Sequence, residues 1–440
     1  MAGAHARRPR PVHAPAGGAA HVQPQTEHDV ADLSLADQGM AQIAWAGQQM
    51  PVLESIRRRF AAERPLRDMV VAACLHVTAE TANLLLTLSD GGARVALCSA
   101  NPLSVQDDVA AALAVGHQLG VRAWRGEGPE DQERRLVQTL EQGPHITIDD
   151  GADLLVAAHQ SGMGLGQLIG GTEETTTGLV RLRRLEQAGT LRCPVLAVNE
   201  ARTERALNDR HGTGQSALDG IIRASHVLLA GHTVVVIGYG WAGQGIAERA
   251  RGAGAHVVVC EIDPLRALEA RMAGYEVLPA LEAAERGDVF ITVTGSRRVL
   301  RGEHFSRMKD GALLVNAGHF DVEIDLDELA EVGSAGVRQV RPLVEQFERA
   351  DGARLNLLVR GRVVNLAAAE GHPPALMDVS FSLQALCVEE LVRRGGELAP
   401  RVHGVPPWID EEVARLKLAA LGVQFDHPTS EQEAYRQAWT

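Results

Sequence analysis

Residues 232–264 read HTVVVIGYGWAGQGIAERARGAGAHVVVCEIDP. A run of β-branched residues meets a turn with three glycines, then a helix-forming stretch, then a second apolar run. That order predicts strand, tight turn, helix, strand, the opening of a parallel sheet with a right-handed crossover. The turn itself, GYGWAG at 238–243, has the spacing G-x-G-x-x-G. The spacing carries meaning here because it directly follows a strand and opens a helix. Gly238 permits the tight turn, Gly240 lets the backbone approach a pyrophosphate, and Gly243 allows close helix–strand packing. The N–H groups at the start of the helix are free to hold phosphate. Glu261 ends the next strand, 23 residues after Gly238. A carboxylate there accepts from both adenosine ribose hydroxyls and repels a 2′-phosphate, which favours NAD over NADP. Arg266 nearby weighs slightly the other way, since an arginine can hold such a phosphate.

The same rhythm runs through the rest of the chain. DMVVAACLHV (68–77), ARVALCSA (93–100) and HITIDDGADLLVAAH (145–159) are apolar runs, each leading into a loop and a helical stretch. After the glycine turn, DVFITVTG (288–295) and GALLVNAGHF (311–320) repeat it. Continuous apolar runs of this length fit strands buried on both faces. The expected fold is therefore α/β, with two doubly wound parallel-sheet domains. Helical spacing over 32–61 predicts a helix capped by Asp32 or Ser34, and 408–439 predicts one amphipathic helix followed by a short polar segment.

At 440 residues, two to three domains are expected. The net charge of −13, with acids and bases mixed, argues against a nucleic-acid or anionic-membrane partner. No stretch approaches the roughly 20 apolar residues of a membrane span. Residues 1–27 have basic residues but no apolar core, so they read as a disordered tail and not a secretory signal. The five cysteines (74, 98, 193, 260 and 387) are widely spaced with no CxxC pair. They form neither a disulfide framework nor a zinc site, and no metal is expected; a reducing, cytoplasmic setting fits.

Several segments have no role in this scheme: CLHVTAET (74–81), NPLSVQDD (101–108), IDDGAD (148–153), GGTEETTTG (170–178), GTGQS (212–216), NAGHFDVEID (316–325) and AAAEGHP (367–373). GGTEETTTG is poor helix sequence and reads as a loop dense in hydroxyls and carboxylates. Together, and in this order, the segments resemble the S-adenosylhomocysteine hydrolase (adenosylhomocysteinase) family. The likeness runs from about Asp32 to the C-terminus, some nine-tenths of the chain. The short C-terminal end is similar to archaeal and some bacterial members.

The resemblance implies a substrate domain from 28–213 and 371–403, an inserted NAD-binding Rossmann domain at 214–370, and a C-terminal helix and oligomerisation tail at 404–440. It implies a homotetramer or dimer, an adenine nucleoside substrate, and closure on hinges near 210–216 and 365–372. It also implies roles. His76 lies near the 5′ leaving group, and Thr78 and Glu80 read the adenine edge, with Thr81 and Asn101 also on the substrate side. Asp150 transfers a proton near the sugar, Glu174 grips the 2′ and 3′ hydroxyls, and His319 acts beside the 5′ position. His372 and Met377 line the entrance for adenine and homocysteine. Thr175, Thr176, Thr177, Asn199, Asp209, Thr294, Asn316 and Asn365 join Gly238, Gly240, Gly243, Glu261 and Arg266 around NAD, with Asn365 at the nicotinamide amide. Read from the residues alone, His76 at a strand end also fits a core histidine, Asp149 and Asp150 also fit caps for the next helix, and Asp321, Glu323 and Asp325 fit a solvated loop.

One stretch departs from the family. In NEARTERALND (199–209), Asn199 is retained. The family's lysine position is Glu204, its aspartate position is Asn208, and the asparagine beside that is Asp209. Lysine and aspartate contact the 3′-hydroxyl in the family, so Glu204 and Asn208 are candidate catalytic residues of altered type. On a helix, Arg202 lies roughly 160° and Arg205 about 100° from Glu204, so neither replaces the lysine directly. Three readings follow: oxidation of a ribose hydroxyl with a diverged outcome, ordinary adenosylhomocysteinase activity, and a non-catalytic NAD- and nucleoside-binding regulator.

Overall fold

A computed structural model describes residues 28–438. The expected tail at 1–27 lies outside them, as do the last two residues. The strands β1 (Asp29–Val30), β2 (Val70–Leu75), β3 (Arg94–Ser99), β4 (Gly120–Ala123), β5 (Ile146–Asp149), β6 (Gly170–Glu173) and β7 (Val195–Ala197) belong to a first sheet. A second sheet holds β8 (Thr233–Ile237), β9 (His256–Cys260), β10 (Glu276–Val277), β11 (Val289–Thr292), β12 (Ala312–Asn316), β13 (Gly336–Arg341), β14 (Val344–Glu348) and β15 (Arg354–Leu358). The chain then returns to the first sheet as β16 (Val402–Gly404), which pairs with β7.

The first sheet is wholly parallel, ordered β1-β4-β3-β2-β5-β6-β7-β16. The second runs β10-β9-β8-β11-β12-β15-β14-β13. Its last two strands are antiparallel, an edge hairpin that apolar runs did not announce because every residue of β13 is exposed. Strand order reverses between β2 and β5 in one sheet and between β8 and β11 in the other. Such switch points open a crevice at the carboxyl ends of the strands. His76 follows β2 and Asp150 follows β5; the glycine turn follows β8 and Thr294 follows β11.

All six residues of β2 are buried, the pattern of a strand covered on both faces. Helix Pro374–Arg394 packs into the same core through Val379, Leu383 and Leu391. All five cysteines are buried and free, including Cys193.

Four expectations change. The helical pattern over 32–61 is two helices, Ala36–Gly47 and Pro51–Glu63, because Pro51 starts a new helix at its first position. Asp32, not Ser34, caps the short turn before them, accepting from Ser34 N. GGTEETTTG is not a free loop: its first four residues are β6, and Thr176 begins a helix. The polar end after helix Pro407–Ala420 contains a second short helix, Ser430–Gln437, with a Thr429/Gln432 capping box.

Candidate functional site

The crevice is built first by backbone turns at the strand ends. Asp149 accepts from Leu154 N at 2.8 Å and Leu155 N at 3.2 Å, so Asp149 is the cap of helix Asp153–Ser161. That leaves Asp150 free, and its Oδ2 lies 3.3 Å from His76 Nε2. His76 Nδ1 is 2.6 Å from Ser104 Oγ, and that hydroxyl donates its one hydrogen to Asn101 O at 2.8 Å. The hydroxyl can then only accept from His76, so Nδ1 carries a hydrogen. Nε2 is then the ring nitrogen that faces Asp150 and can take up or pass on a proton there. Burial lowers the His76 pKa, and the Asp150 carboxylate opposes that shift.

His319 comes from the other sheet, after β12. Its ring centroid lies 6.5 Å from that of His76, and a Cβ on Gly151 would stand 3.8 Å from its Nε2. The turn that carries it is held by Asn316, whose amide donates to Phe320 O and Gly361 O and accepts from Gly318 N. Asn316 thus shapes this turn with its side chain. A cavity of about 380 Å³ opens here between the two sheets' loops, lined by Asn101, Gln132, His319, Phe320 and Arg362 among others.

The wall opposite is acidic. Glu174, after β6, accepts from Ser380 Oγ and Gln384 Nε2 on helix Pro374–Arg394. Burial pushes its carboxyl up to about 7 despite those bonds. Residues Glu204–Gly212 form a π-helix that runs without a break into helix Thr213–Ser225. Widened turns of this kind favour functional sites. Glu204 is 1% exposed, accepts from Asn208 Nδ2, and leaves Oε2 with no hydrogen-bond partner. Its carboxyl lies well above the usual range, first from burial, then from repulsion by Glu174 and Asp209. Burial also raises Asp209 to about 7, with Arg205 opposing. Arg205 itself pairs with Glu200 at 3.3 Å, and Arg202 presents its N–H to Asp410. Neither guanidinium hydrogen-bonds to Glu204.

Asn208 Oδ1 lies 2.7 Å from His372 Nδ1, and His372 Nε2 is 3.2 Å from Thr213 Oγ1. Burial holds His372 down to about 4, so it is neutral. The π-helix rests directly on the helix that opens at the glycine turn. A Cβ on Gly245 would fall 1.7 Å from Arg210 O, one on Gly214 2.6 Å from Gly245 C and O, and Arg210 pairs with Glu248. The hinge expected near 210–216 is therefore a helical junction, not a loop.

Around the glycine turn, Gly238 has φ +102°, where other residues are strained, and a Cβ on Gly243 would lie 2.0 Å from Gly238 O. Glu261 accepts from Tyr239 N at 2.7 Å and from Ile262 N and Asp263 N. Arg266 Nη1 reaches within 3.5 Å of where a Gly240 Cβ would be.

Residues 209–371 match the family described as "S-adenosyl-L-homocysteine hydrolase, NAD binding domain", and 27–164 match "S-adenosyl-L-homocysteine hydrolase". The chain is 53% identical over 414 residues to the protein named adenosylhomocysteinase in Aquifex aeolicus, covering 94% of this chain and 99% of that one. The chain belongs to the S-adenosyl-L-homocysteine hydrolase family. The adenosylhomocysteinase of Saccharolobus solfataricus is 50% identical, with 94% and 99% covered. The S-inosyl-L-homocysteine hydrolase of Methanopyrus kandleri is also 50% identical, with 95% and 99% covered.

As a member of that family the chain is an NAD-binding enzyme, and its residues suit the cofactor. Side chains at Gly238 and Gly243 would strike backbone, and Asn365, 8% exposed, has an unpartnered Oδ1 while its amide donates to Ser216 at 3.3 Å. Thr176 donates to Asn199 Oδ1 at 2.7 Å, and Thr175 and Thr177 hydroxyls lie 3.5 Å apart. Thr294 gives both its N–H and its hydroxyl to Glu323.

Glu323 corrects the solvated-loop expectation: it is 1% exposed and ties Thr294 and Gly295 together. Asp325 is buried and caps helix Leu326–Val332, so only Asp321 is exposed there. Thr78 caps helix Ala79–Asp90 and Glu80 starts it, while Thr81 donates to His76 O at 2.6 Å and so buttresses the histidine. Met377 is partly buried against the first core.

Sequence reasoning missed Ser104, Glu173, Ser380 and Gln384. Ser104 sat inside NPLSVQDD, unweighed. Glu173 binds Gly151 N and Thr175 N, joining the loops after β5 and β6, and burial raises its pKa strongly. Ser380 and Gln384 lie four apart on one helix, a spacing that offered a signal only once Glu174 was known to face it.

Proposed function

We propose that this enzyme uses NAD to oxidise the 3′-hydroxyl of an adenine nucleoside such as S-adenosylhomocysteine, with an outcome that departs from simple hydrolysis. The observation that carries this reading is the buried Glu204–Asn208 pair, standing where the family has lysine and aspartate. When bound, NAD would supply the hydride acceptor for oxidation of the ribose carbon, a chemistry that would acidify the neighbouring C–H. The chain's own residues must then hold the sugar and move protons.

Glu174, oriented by Ser380 and Gln384, grips the 2′ and 3′ hydroxyls. Asn365 Oδ1 accepts from the carboxamide, and Thr175, Thr176, Thr177 and Asn199 line the nicotinamide side. Thr78 and Glu80 face adenine. His76 Nε2 and Asp150 move a proton at the 5′ end, with His319 opposite. At the 3′-hydroxyl, a carboxyl replaces an ammonium, and Asn208 cannot titrate. Groups that transfer protons contribute roughly 10²–10⁴-fold each, so the hydroxyl end works at a reduced rate. The enzyme stops at a keto-nucleoside, epimerises a sugar carbon, or acts on a substrate with a different 5′ group.

Retention of His76, Asp150 and His319 favours a second reading, ordinary release of homocysteine. Incubation with S-adenosylhomocysteine and with adenosine separates the two. NADH absorbance and solvent deuterium in the sugar without thiol release support the first; sustained thiol release supports the second. Tight nucleotide binding with neither signal leaves only a regulatory role. We also propose a homotetramer or dimer, tested by light-scattering mass.

A further inference from the structure

Glu204, Asp209 and Glu174 crowd one wall of the crevice. Glu204 is nearly inaccessible, accepts from the neutral amide of Asn208, and leaves Oε2 without a hydrogen-bond partner. Asn208 and Ser380 favour its ionised form, but burial outweighs them. The wall sits on the helix that starts at the glycine turn, through the Gly245–Arg210 and Gly214–Gly245 contacts. An oxidised nicotinamide ring is a cation and its reduced form is neutral, while the rest of the two cofactors is the same.

We propose that Glu204 and Asp209 make binding of NAD⁺ a proton-releasing event, whereas NADH binds with little or no release. This rests on the reading that the wall faces the nicotinamide. In the ligand-free protein burial disfavours the charge of both carboxyls, pushing Asp209 up to about 7 and Glu204 well above the usual carboxylate range, so the pair holds protons that it can release near neutral pH. A cation placed beside them favours the ionised form, and the proton goes to the buffer: COOH becomes COO⁻ plus H⁺, balanced by the ring's charge. The carboxylate formed is then ready to accept the proton of the ribose hydroxyl. Asp150 and Glu174 share the wall, Arg205 opposes the shift at Asp209, and His372 and His76 are neighbours whose pKa burial lowers.

The sign follows from linkage. Release on binding means NAD⁺ binds more tightly as pH rises. For one linked proton, the NAD⁺/NADH affinity ratio climbs up to about tenfold per pH unit near pH 7. Calorimetric titration of the nucleotide-free full-length protein with NAD⁺ and with NADH, in two buffers of different ionisation enthalpy, measures the proton count directly. The expected result is about half to one proton released with NAD⁺ at pH 7 and markedly less with NADH. Glu204→Gln and Asp209→Asn should each reduce it. Equal release with both cofactors, no release with either, or undiminished release in both variants overturns the inference. If neither nucleotide binds, the cofactor-site reading fails with it, so the two failures are distinct.

Discussion

Asp149 and Asp150 are adjacent and chemically identical, yet one is consumed by two backbone N–H groups and the other faces His76. Only the φ/ψ path of Gly151 and Ala152, both at positive φ, separates their roles. Ser104 is the residue that sets which His76 nitrogen carries hydrogen. Ser104→Ala removes that constraint, so the His76–Asp150 pair should lose about tenfold in turnover with little change in KM, measured by steady-state kinetics with either product assay. The reaction wall makes a stronger test. Glu204→Lys together with Asn208→Asp should raise thiol release from S-adenosylhomocysteine by about 10²-fold or more, followed with a thiol reagent. An unchanged rate would mean that these two positions do not limit thiol release by this chain. Residue types at this scale were legible: NEARTERALND displayed the carboxyls and amides at 204, 208 and 209. Its surroundings were not, because Ser380 and Gln384 are some 175 residues further along the chain.

Between elements, the decisive contact is the π-helix Glu204–Gly212 against the glycine-turn helix Trp241–Gly252. Gly214 and Gly245 allow the two backbones to touch. Gly245→Ala places a Cβ 1.7 Å from Arg210 O, so the helices must separate and carry Asp209 with them. Overpacking of this kind costs about 1–3 kcal/mol. The expected outcome is a lowered urea midpoint and weaker NAD binding, while Gly252→Ala, with nothing within 4 Å of its Cβ, should leave NAD binding unchanged. The sequence showed the glycine spacing of the turn itself but gave no hint of a π-helix. A π-turn has no periodicity of its own over nine residues, and its register depends on what it packs against. The misread stretch at 32–61 has a plainer cause, since Pro51 at a helix start fits a continuing apolar stripe as well as a break.

For the molecule as a whole, the acidic wall adds a pH signature to stability. Asp149, Glu174 and Asp209 each stand at about 7, and Glu173 and Glu204 are raised further or comparably by burial. A carboxyl whose folded pKa exceeds its unfolded value stabilises fully below the unfolded pKa, and that contribution is lost as pH rises through the folded one. The ligand-free protein should therefore melt at progressively lower temperature from about pH 5 to pH 8, recorded by circular dichroism, and Glu204→Gln should flatten the slope. A melting temperature that rises across that window would contradict the protonated wall. Local chemistry determined much of this protein: two α/β sheets from apolar runs, an NAD turn from three glycines and an acid, and the family from ordered polar segments. Those features are short-range, so a linear chain displays them. Tertiary structure alone decided which carboxylate caps a helix and which faces His76, and that Glu323 is buried. It also decided that an acidic wall drawn from three distant segments closes on one crevice. Burial and mutual repulsion exist only when separate strand ends are brought together, and no single segment carries them.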